Sequence, residues 1–380
     1  MGRRRIHGST AGTLSVDERL LDALESLYGP FDDRRNLDAL AEGLETLHKG
    51  LTGHRSRFMR RPYLRDPKLL RAYASYVVCA QAPKLGPVLD RLKFSNTRPL
   101  RVLELGCGPG TGVAAVGLWA QDQGLEIEHL ATDRVPEALE ASQRLADALD
   151  LKGVTTVQVD LSSPLARQIG RQDRFDLVLC MNVLNELPME RFSLLIREFA
   201  HWLQPDGHLV AIEPAAKEPA RHVLELRELF ISRGWFVHAP CPHQEACPAF
   251  EQEDDWCHDS WAFDRPEFMA NVDRRVGTRR ESLKATWFIF SQVEPSIVTG
   301  PRRGRVVSDR FEEKGRTHAR VCTSDGIVNL ELQKRDRSES NQDFRDIHRY
   351  DLIEFDETET VGRRERLQPT SRCERLNEEQ

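Results

Sequence analysis

A glycine-rich turn set between an apolar run and a helical pattern is the feature that most restricts how this chain folds. Val102-Leu103-Glu104-Leu105 reads as a strand, Gly106-Cys107-Gly108-Pro109-Gly110 as a turn, and Thr111-Gly112 as the opening of a helix. Glycine lets the backbone turn sharply and come close to a ligand that a Cβ would exclude. The spacing is G-x-G-x-G, with an acid two residues ahead of the first glycine. A dinucleotide fingerprint, G-x-G-x-x-G, would place glycine at position 111, where this chain has Thr111.

From residue 100 onward, short β-branched runs alternate with helical segments. Strands are expected at 101–105, 126–132, 154–159, 175–181, 208–212, 235–239 and 285–291, with helices in most of the gaps. Such alternation implies a seven-stranded, parallel, doubly wound α/β sheet. Asp133 and Asp160 fall at the ends of the second and third strands. These are carboxyl ends of parallel strands, where open α/β sheets bind ligands. Asp133 suits a pair of ribose hydroxyls, and Asp160 suits the amine of an adenine. Glu104 suits an ammonium or sulfonium group, because opposite charges attract at short range. The loop with its acids resembles the motifs of class I, Rossmann-like methyltransferases. The resemblance implies S-adenosylmethionine as cofactor, with Glu104, Gly106, Gly108, Gly110, Asp133, Asp160 and Asn182 as candidate binding residues.

The organisation expected around this domain has four parts. Residues 1–95 carry leucines at helical spacing (Leu20, Leu21, Leu24, Leu27; Leu37, Leu40, Leu44, Leu47) and read as a helical region. Residues 96–295 are the cofactor-binding domain, with a cysteine-rich insert at 240–262. Residues 296–355 read as a small β-rich appendage, with Ser324-Asp325-Gly326 as a hairpin turn. Residues 356–380 are polar and are expected to be disordered. No apolar run is long enough to span a bilayer. The three arginines among the first six residues lack an apolar segment behind them, unlike a secretory signal.

The formal net charge is −6, which argues against a uniformly basic nucleic-acid binder. The charges are segregated, however. Arg55, Arg57, Arg60 and Arg61 form one basic group, Arg274, Arg275, Arg279 and Arg280 a second, and Arg302, Arg303 and Arg305 a third. They are read either as a phosphate-contacting face or as solvated surface.

Eight cysteines are too few for a disulfide framework in 380 residues, so a reducing compartment is expected. Cys241, Cys247 and Cys257 crowd one polar stretch, two of them followed by proline, and Cys322 stands alone later. Four thiolates can hold an iron–sulfur cluster or a zinc ion. Tight C-x-x-C pairs, which zinc favours, are absent, so the spacing suits a cluster better. Cys79, Cys107, Cys180 and Cys373 read as structural.

Three blocks carry a more specific resemblance: Asn182-Val183-Leu184-Asn185-Glu186-Leu187-Pro188; Ile212-Glu213-Pro214; and Ala239-Pro240-Cys241-Pro242-His243 through Cys247-Pro248 to Trp256-Cys257-His258. The chain resembles the Rsm-twenty-two-type, methyltransferase-like proteins of the small ribosomal subunit in mitochondria and bacteria. The resemblance runs from about residue 63 to about residue 332. It implies a [4Fe-4S] site at Cys241, Cys247, Cys257 and Cys322, with zinc as the alternative metal. It further implies small-subunit rRNA or an assembling small subunit as partner, in a bacterial cytoplasm or, alternatively, a mitochondrial matrix. Two positions depart from the family pattern: Ala215 stands where glycine is usual, and Asp259-Ser260-Trp261-Ala262 replaces Phe-x-Gln-Arg.

Catalytic groups are not evident. The loop after the fourth strand has neither an Asn/Asp-Pro-Pro-aromatic run nor a Pro-Cys nucleophile. Asn182 and Asn185 suit hydrogen bonds to a substrate and Glu186 suits a base, but helix capping and surface polarity are the favoured account of all three. The function expected is rRNA methylation or subunit assembly. A catalytically inactive rRNA-binding assembly factor is the main alternative and a small-molecule methyltransferase the lesser one.

Overall fold

A computed structural model describes residues 4–6, 12–53, 58, 61–165, 168–169, 174–295 and 302–376. Two nine-stranded sheets organise the chain. Short strands β1 (Arg4–Ile6) and β2 (Thr13–Ser15) precede helices α1 (Glu18–Tyr28) and α2 (Arg34–Thr52). Both helices start on an aspartate cap: the Asp17 carboxylate accepts from Arg19 N and the Asp33 carboxylate from Asn36 N, satisfying free N–H groups of the first turn. Helices α3 (Pro67–Ala72), α4 (Val78–Gln81) and α5 (Gly86–Leu89) lead into the first sheet. The N-terminal region is thus helical as expected, except that β2 adds to an edge of the first sheet and β1 pairs in the second.

The first sheet follows as β3 (Leu100–Leu105), α6 (Thr111–Asp122), β4 (Ile127–Asp133), α7 (Pro136–Ala148), β5 (Val154–Gln158), β6 (Phe175–Met181), α8 (Met189–Trp202), β7 (Leu203–Pro214), α9 (Lys217–Ser232), β8 (Phe236–Ala239), β9 (Asp259–Asp264), α10 (Glu267–Val276) and β10 (Ser282–Ser291). Its strand order is β2-β9-β10-β7-β6-β3-β4-β5, with β8 also paired to β10. The seven expected strands are present, and β2 and β9 extend the sheet. It is not wholly parallel, because β10 runs antiparallel to β7, β8 and β9.

Side chains of successive residues point to opposite faces of a strand. Leu103, Leu105, Val178 and Cys180 accordingly pack with Phe192, Phe199 and Phe230 of α8 and α9. Val102, Leu177 and Leu179 pack with Leu85, Val88 and Leu89 on the other face. Every residue of β6 is buried, as a central strand covered on both faces requires. The chain order reverses at β3: β4 and β5 lie to one side, β6 and β7 to the other. Such a switch point opens a crevice at the carboxyl ends of the strands.

The second sheet comprises β11 (Arg302–Val306), β12 (Arg310–Glu313), β13 (Arg316–Thr323), β14 (Gly326–Gln333), β15 (Leu352–Phe355), β16 (Thr358–Val361), β17 (Arg364–Leu367) and β18 (Cys373–Arg375), together with β1. The expected hairpin turn joins β13 to β14, with Thr323 opposite Gly326. The disordered tail expected from residue 356 is corrected here, since β16, β17 and β18 lie within it. Their pattern escapes a search for alternating apolar residues because ion pairs hold them. The buried Glu331 carboxylate on β14 meets Arg316, Arg364 and Arg366 at 3.1–3.4 Å, and Arg302 meets Glu365 at 2.6 Å. Leu367 and Cys373 are the apolar anchors of this segment.

Candidate functional site

The crevice at the switch point is a cavity of about 830 Å³. Gly106 and Gly108 follow β3, Asp133 ends β4, Asp160 follows β5 and Asn182 follows β6, and all five line it. Sequence distances of 20 to 80 residues collapse here because parallel strands present their carboxyl ends together. The Asp133 carboxylate accepts from Gly108 N and from Val135 N, each at 2.9 Å. It ties the glycine turn to the second strand, and burial raises its pKa above the usual carboxylate value. Asp160 accepts from Ser162 N at 2.9 Å, and this bond holds its carboxyl low.

Gly106 has φ +71°, and a Cβ on it would lie 2.5 Å from a Val183 methyl group. Only glycine combines that backbone with that approach. Asn182 also adopts a left-handed conformation, φ 58°, directly after β6. Such conformations concentrate at ligand sites.

Two candidates lie beneath the cavity rather than in its wall. Gly110 caps α6 with φ +98° and packs on Ser142. Glu104 is 1% exposed, and its carboxylate faces His129 under the loop.

Glu213 is the main residue of this region that spacing alone did not single out. It is fully buried at the end of β7, where it accepts from Val183 N at 3.0 Å, from Leu184 N at 2.7 Å and from the Asn185 amide. Burial pushes its carboxyl up to about 7. Glu213 therefore shapes the 182–187 loop, and Asn185 is committed to that anchor. The cavity wall also includes Tyr63, Tyr73, Arg134, Glu186, Glu218 and His222. Burial lowers the pKa of His222, and its Nε2 has no hydrogen-bond partner among the described residues.

A second cavity, of about 370 Å³, is lined by Cys241, Cys247, Cys257 and Cys322. Three of them lie between β8 and the start of β9, whereas Cys322 projects from β13 of the second sheet. The intervening loop is braced by its backbone. Arg221 donates to Asp255 O at 2.7 Å, Trp256 Nε1 to Ala215 O at 2.9 Å, and Thr286 to Cys257 O at 2.8 Å. Burial, reinforced by the neighbouring cysteines, pushes the Cys247 thiol up to about 12 and that of Cys322 still higher. Burial likewise pushes Cys257 up to about 11, opposed by Arg305. Among the described residues, no group of three or more His, Cys, Asp or Glu side chains is placed to hold a single metal ion. The four sulfurs stand around a cavity instead. Cys79, Cys107, Cys180 and Cys373 are buried elsewhere in apolar packing.

Two arginines by this cavity were not recognised as part of it. Arg227 interrupts the buried stripe of α9 between Leu224 and Phe230, the kind of signal that marks a charge kept inside for a reason. Arg305, assigned from sequence to a basic surface group, is 4% exposed and paired with Asp259. The rest of that group is internally paired too, Arg302 with Glu365 and Arg303 with Glu354. Arg275 pairs with Asp38 and Arg279 with Glu281, while Arg280 covers the Tyr76 ring. Arg55, Arg57 and Arg60 lie outside the described residues. The third group is therefore ion-paired, with Arg305 buried, whereas Arg274, Arg275 and Arg279 of the second group and Arg61 of the first are exposed.

Sheet order, glycine turn and crevice together define an α/β, Rossmann-like methyltransferase fold carrying a second, β-rich sheet. The family described as "Mitochondrial small ribosomal subunit Rsm22" matches residues 68–347, and the chain belongs to that family. Comparison with curated proteins gives no significant match. Among solved structures, the chain is similar to TehB from Haemophilus influenzae, at 13% identity over 59% of this chain and 66% of that one, with TM-score 0.36. It is also similar to the ribosomal protein L11 methylase from Lactobacillus delbrueckii subsp. bulgaricus, at 14% identity over 56% and 77%, with TM-score 0.33. A third similarity is to the citrinin polyketide synthase CMeT domain, at 16% identity over 66% and 63%, with TM-score 0.39.

Proposed function

We propose that this chain binds S-adenosylmethionine in the 830 Å³ cavity, carries a [4Fe-4S] cluster on its four clustered cysteines, and works on the small ribosomal subunit in rRNA methylation or assembly. The observation that carries the cofactor reading is the convergence of Gly106, Gly108, Asp133, Asp160 and Asn182 on one wall. Asp133 has carboxylate lone pairs left for ribose hydroxyls, and Asp160 is placed for the adenine end. Glu104 acts from below, by holding the loop. Bound there, the cofactor would supply an activated methyl group.

The cluster reading rests on the donor set. Four cysteines line the second cavity, alongside Asp254, Asp255 and Asp309, and thiolates select iron–sulfur clusters or zinc. A set spread around a cavity suits a multi-iron body better than one ion. Residues 240–262 then act as a cysteine-rich insert, and Cys322 joins the second sheet to it. The small subunit enters through family membership alone.

A reading without catalysis is favoured by one feature. Asn185 is bound to Glu213, and Glu213 is spent on anchoring the loop, so Asn185 does not stand free to hold a substrate and Glu213 does not stand free as a base. The wall also carries Glu186 and Glu218, which repel a phosphate backbone. Labelled methyl donor offered with naked rRNA and with immature small subunits separates the two readings. Transfer to either substrate establishes an enzyme, while cofactor and subunit binding without transfer establishes an assembly factor. Failure to bind the cofactor at all would overturn the proposal for this cavity.

A further inference from the structure

Two guanidinium groups are buried beside the cysteines, and burial of a charge is costly unless it is paired. Arg305 is 4% exposed and Arg227 is 0% exposed. Each has a carboxylate partner. Arg305 meets Asp259, itself buried and held by Trp287 Nε1 at 2.9 Å, and Arg227 meets Glu228. A carboxylate engages only part of a five-donor guanidinium. The remaining donors turn toward sulfur. Arg305 Nη1 lies 3.7 Å from Cys257 Sγ, and Arg227 lines the same cavity beside Cys241, whose sulfur helps to hold its charge. Arg227 Nη2 also donates to His243 O at 3.0 Å, while its buried Nε has no acceptor among the described residues.

We propose that Arg227 and Arg305 are positioning residues for the cysteine cavity, donating N–H···S hydrogen bonds to Cys241 and Cys257 and so raising the midpoint potential of the cluster held there. The inference rests on the [4Fe-4S] reading above. Four thiolates outweigh the positive charge of the iron–sulfide body they carry, and reduction adds a further electron to a site already anionic. A fixed cation and a hydrogen bond at the ligand sulfur favour the reduced state, because they stabilise the more negative form. Burial strengthens the effect by limiting solvent screening. The two arginines come from different layers. Arg227 lies on α9 against the first sheet, and Arg305 lies on β11 of the second and reaches across to Asp259 on β9. Closure of the second sheet on the first thus delivers one of the two donors, as it delivers Cys322.

The test uses full-length protein purified without oxygen, with iron and sulfide assayed before any variant is compared. Wild-type protein lacking both would overturn the cluster reading, and this inference with it. With the cluster present, the midpoint is read by dithionite titration followed by electron paramagnetic resonance. Arg227→Met, and Arg305→Met combined with Asp259→Asn so that no buried carboxylate is orphaned, are expected to shift the midpoint to more negative potential. Arg303→Met, two residues along the same strand and paired to Glu354, is expected to keep the wild-type midpoint. Unchanged midpoints in both cavity variants would overturn the inference while leaving the cluster in place. Should a neutral variant fail to hold iron, Arg227→Lys and Arg305→Lys are read instead. They are expected to give smaller negative shifts, because an ammonium keeps the charge but not the fork of donors. Wild-type midpoints in both lysine variants would equally overturn the inference.

Discussion

Glu104 Oε2 lies 3.1 Å from His129 Nε2, and both side chains are closed off from solvent between β3 and β4. The pair sits under the glycine turn, where a Cβ on Gly112 would come 2.2 Å from Glu104 Oε1. The acid of the loop motif therefore supports the turn from inside the sheet. Glu104→Ala is expected to lower stability by about 2–4 kcal/mol, the scale of a broken buried polar pair. Its effect on S-adenosylmethionine affinity is expected to be smaller than that of Asp133→Ala. Denaturant unfolding and calorimetry on the two variants check this, and the reverse ranking would place Glu104 at the ligand after all.

Asp133→Ala is expected to weaken S-adenosylmethionine binding by about 1–3 kcal/mol, roughly 5- to 150-fold. Two effects contribute. The ribose loses its acceptor, and the Gly108 N–H loses the carboxylate that positions the turn. Asp133→Asn keeps an acceptor and is expected to fall between the two. Titration calorimetry with equal affinities for all three proteins would show that the cavity is not the cofactor site.

Replacing any one of Cys241, Cys247, Cys257 or Cys322 by serine is expected to deplete iron and sulfide, whereas Cys373→Ser, in the core of the second sheet, is expected to leave both unchanged. Cys322 is the sharpest case, because it is far from the other three in sequence and reaches them only through the fold. Elemental and sulfide analysis of anaerobically purified protein decides it. Stoichiometric zinc without sulfide would replace the cluster by the alternative metal.

Glu213 gives a pH signature. Its pKa rises from 4.5 to about 7 on folding, so the native state holds a proton that the unfolded state has already released. Stability then falls as pH rises from about 4.5 to about 7, by roughly 3 kcal/mol at full effect. Glu213→Gln has no proton to lose. The stability of wild type relative to this variant is expected to decline across that window and to level off above it. Urea unfolding at a series of pH values measures it, and a flat difference would mean that Glu213 ionises normally.

Much of the first cavity was legible in the sequence because local rules generate it. The turn glycines, the strand after which each acid falls and the loop from Asn182 are all short-range patterns, and parallel strands carry their ends to one edge of a sheet. Glu213 was visible only as part of a resemblance. Its role depends on backbone N–H groups thirty residues earlier in the chain, which no spacing encodes. The arginines were misplaced for a related reason. A surface cation and a cation buried against sulfur look alike in one dimension, and Arg305 is distinguished only by the strand pairing that brings it to Asp259. The strands after residue 356 escaped because Arg364 and Arg366 are satisfied by Glu331, a partner over thirty residues away.

The sequence by itself determined the α/β alternation, the glycine turn with the acids that follow it, and three of the four clustered cysteines. Each follows from backbone conformation or from neighbours within one element. Only the tertiary structure decided that Glu104 lies beneath the cavity rather than in it, that Cys322, to which the resemblance had pointed, lines one cavity with the other three cysteines, and that Arg227 and Arg305 are buried beside those sulfurs. The physical reason is that burial and charge pairing are properties of packed layers. The first sheet, the second sheet and the loop between β8 and β9 each supply part of the cysteine cavity, and a side chain there is defined by what the other two bring to it.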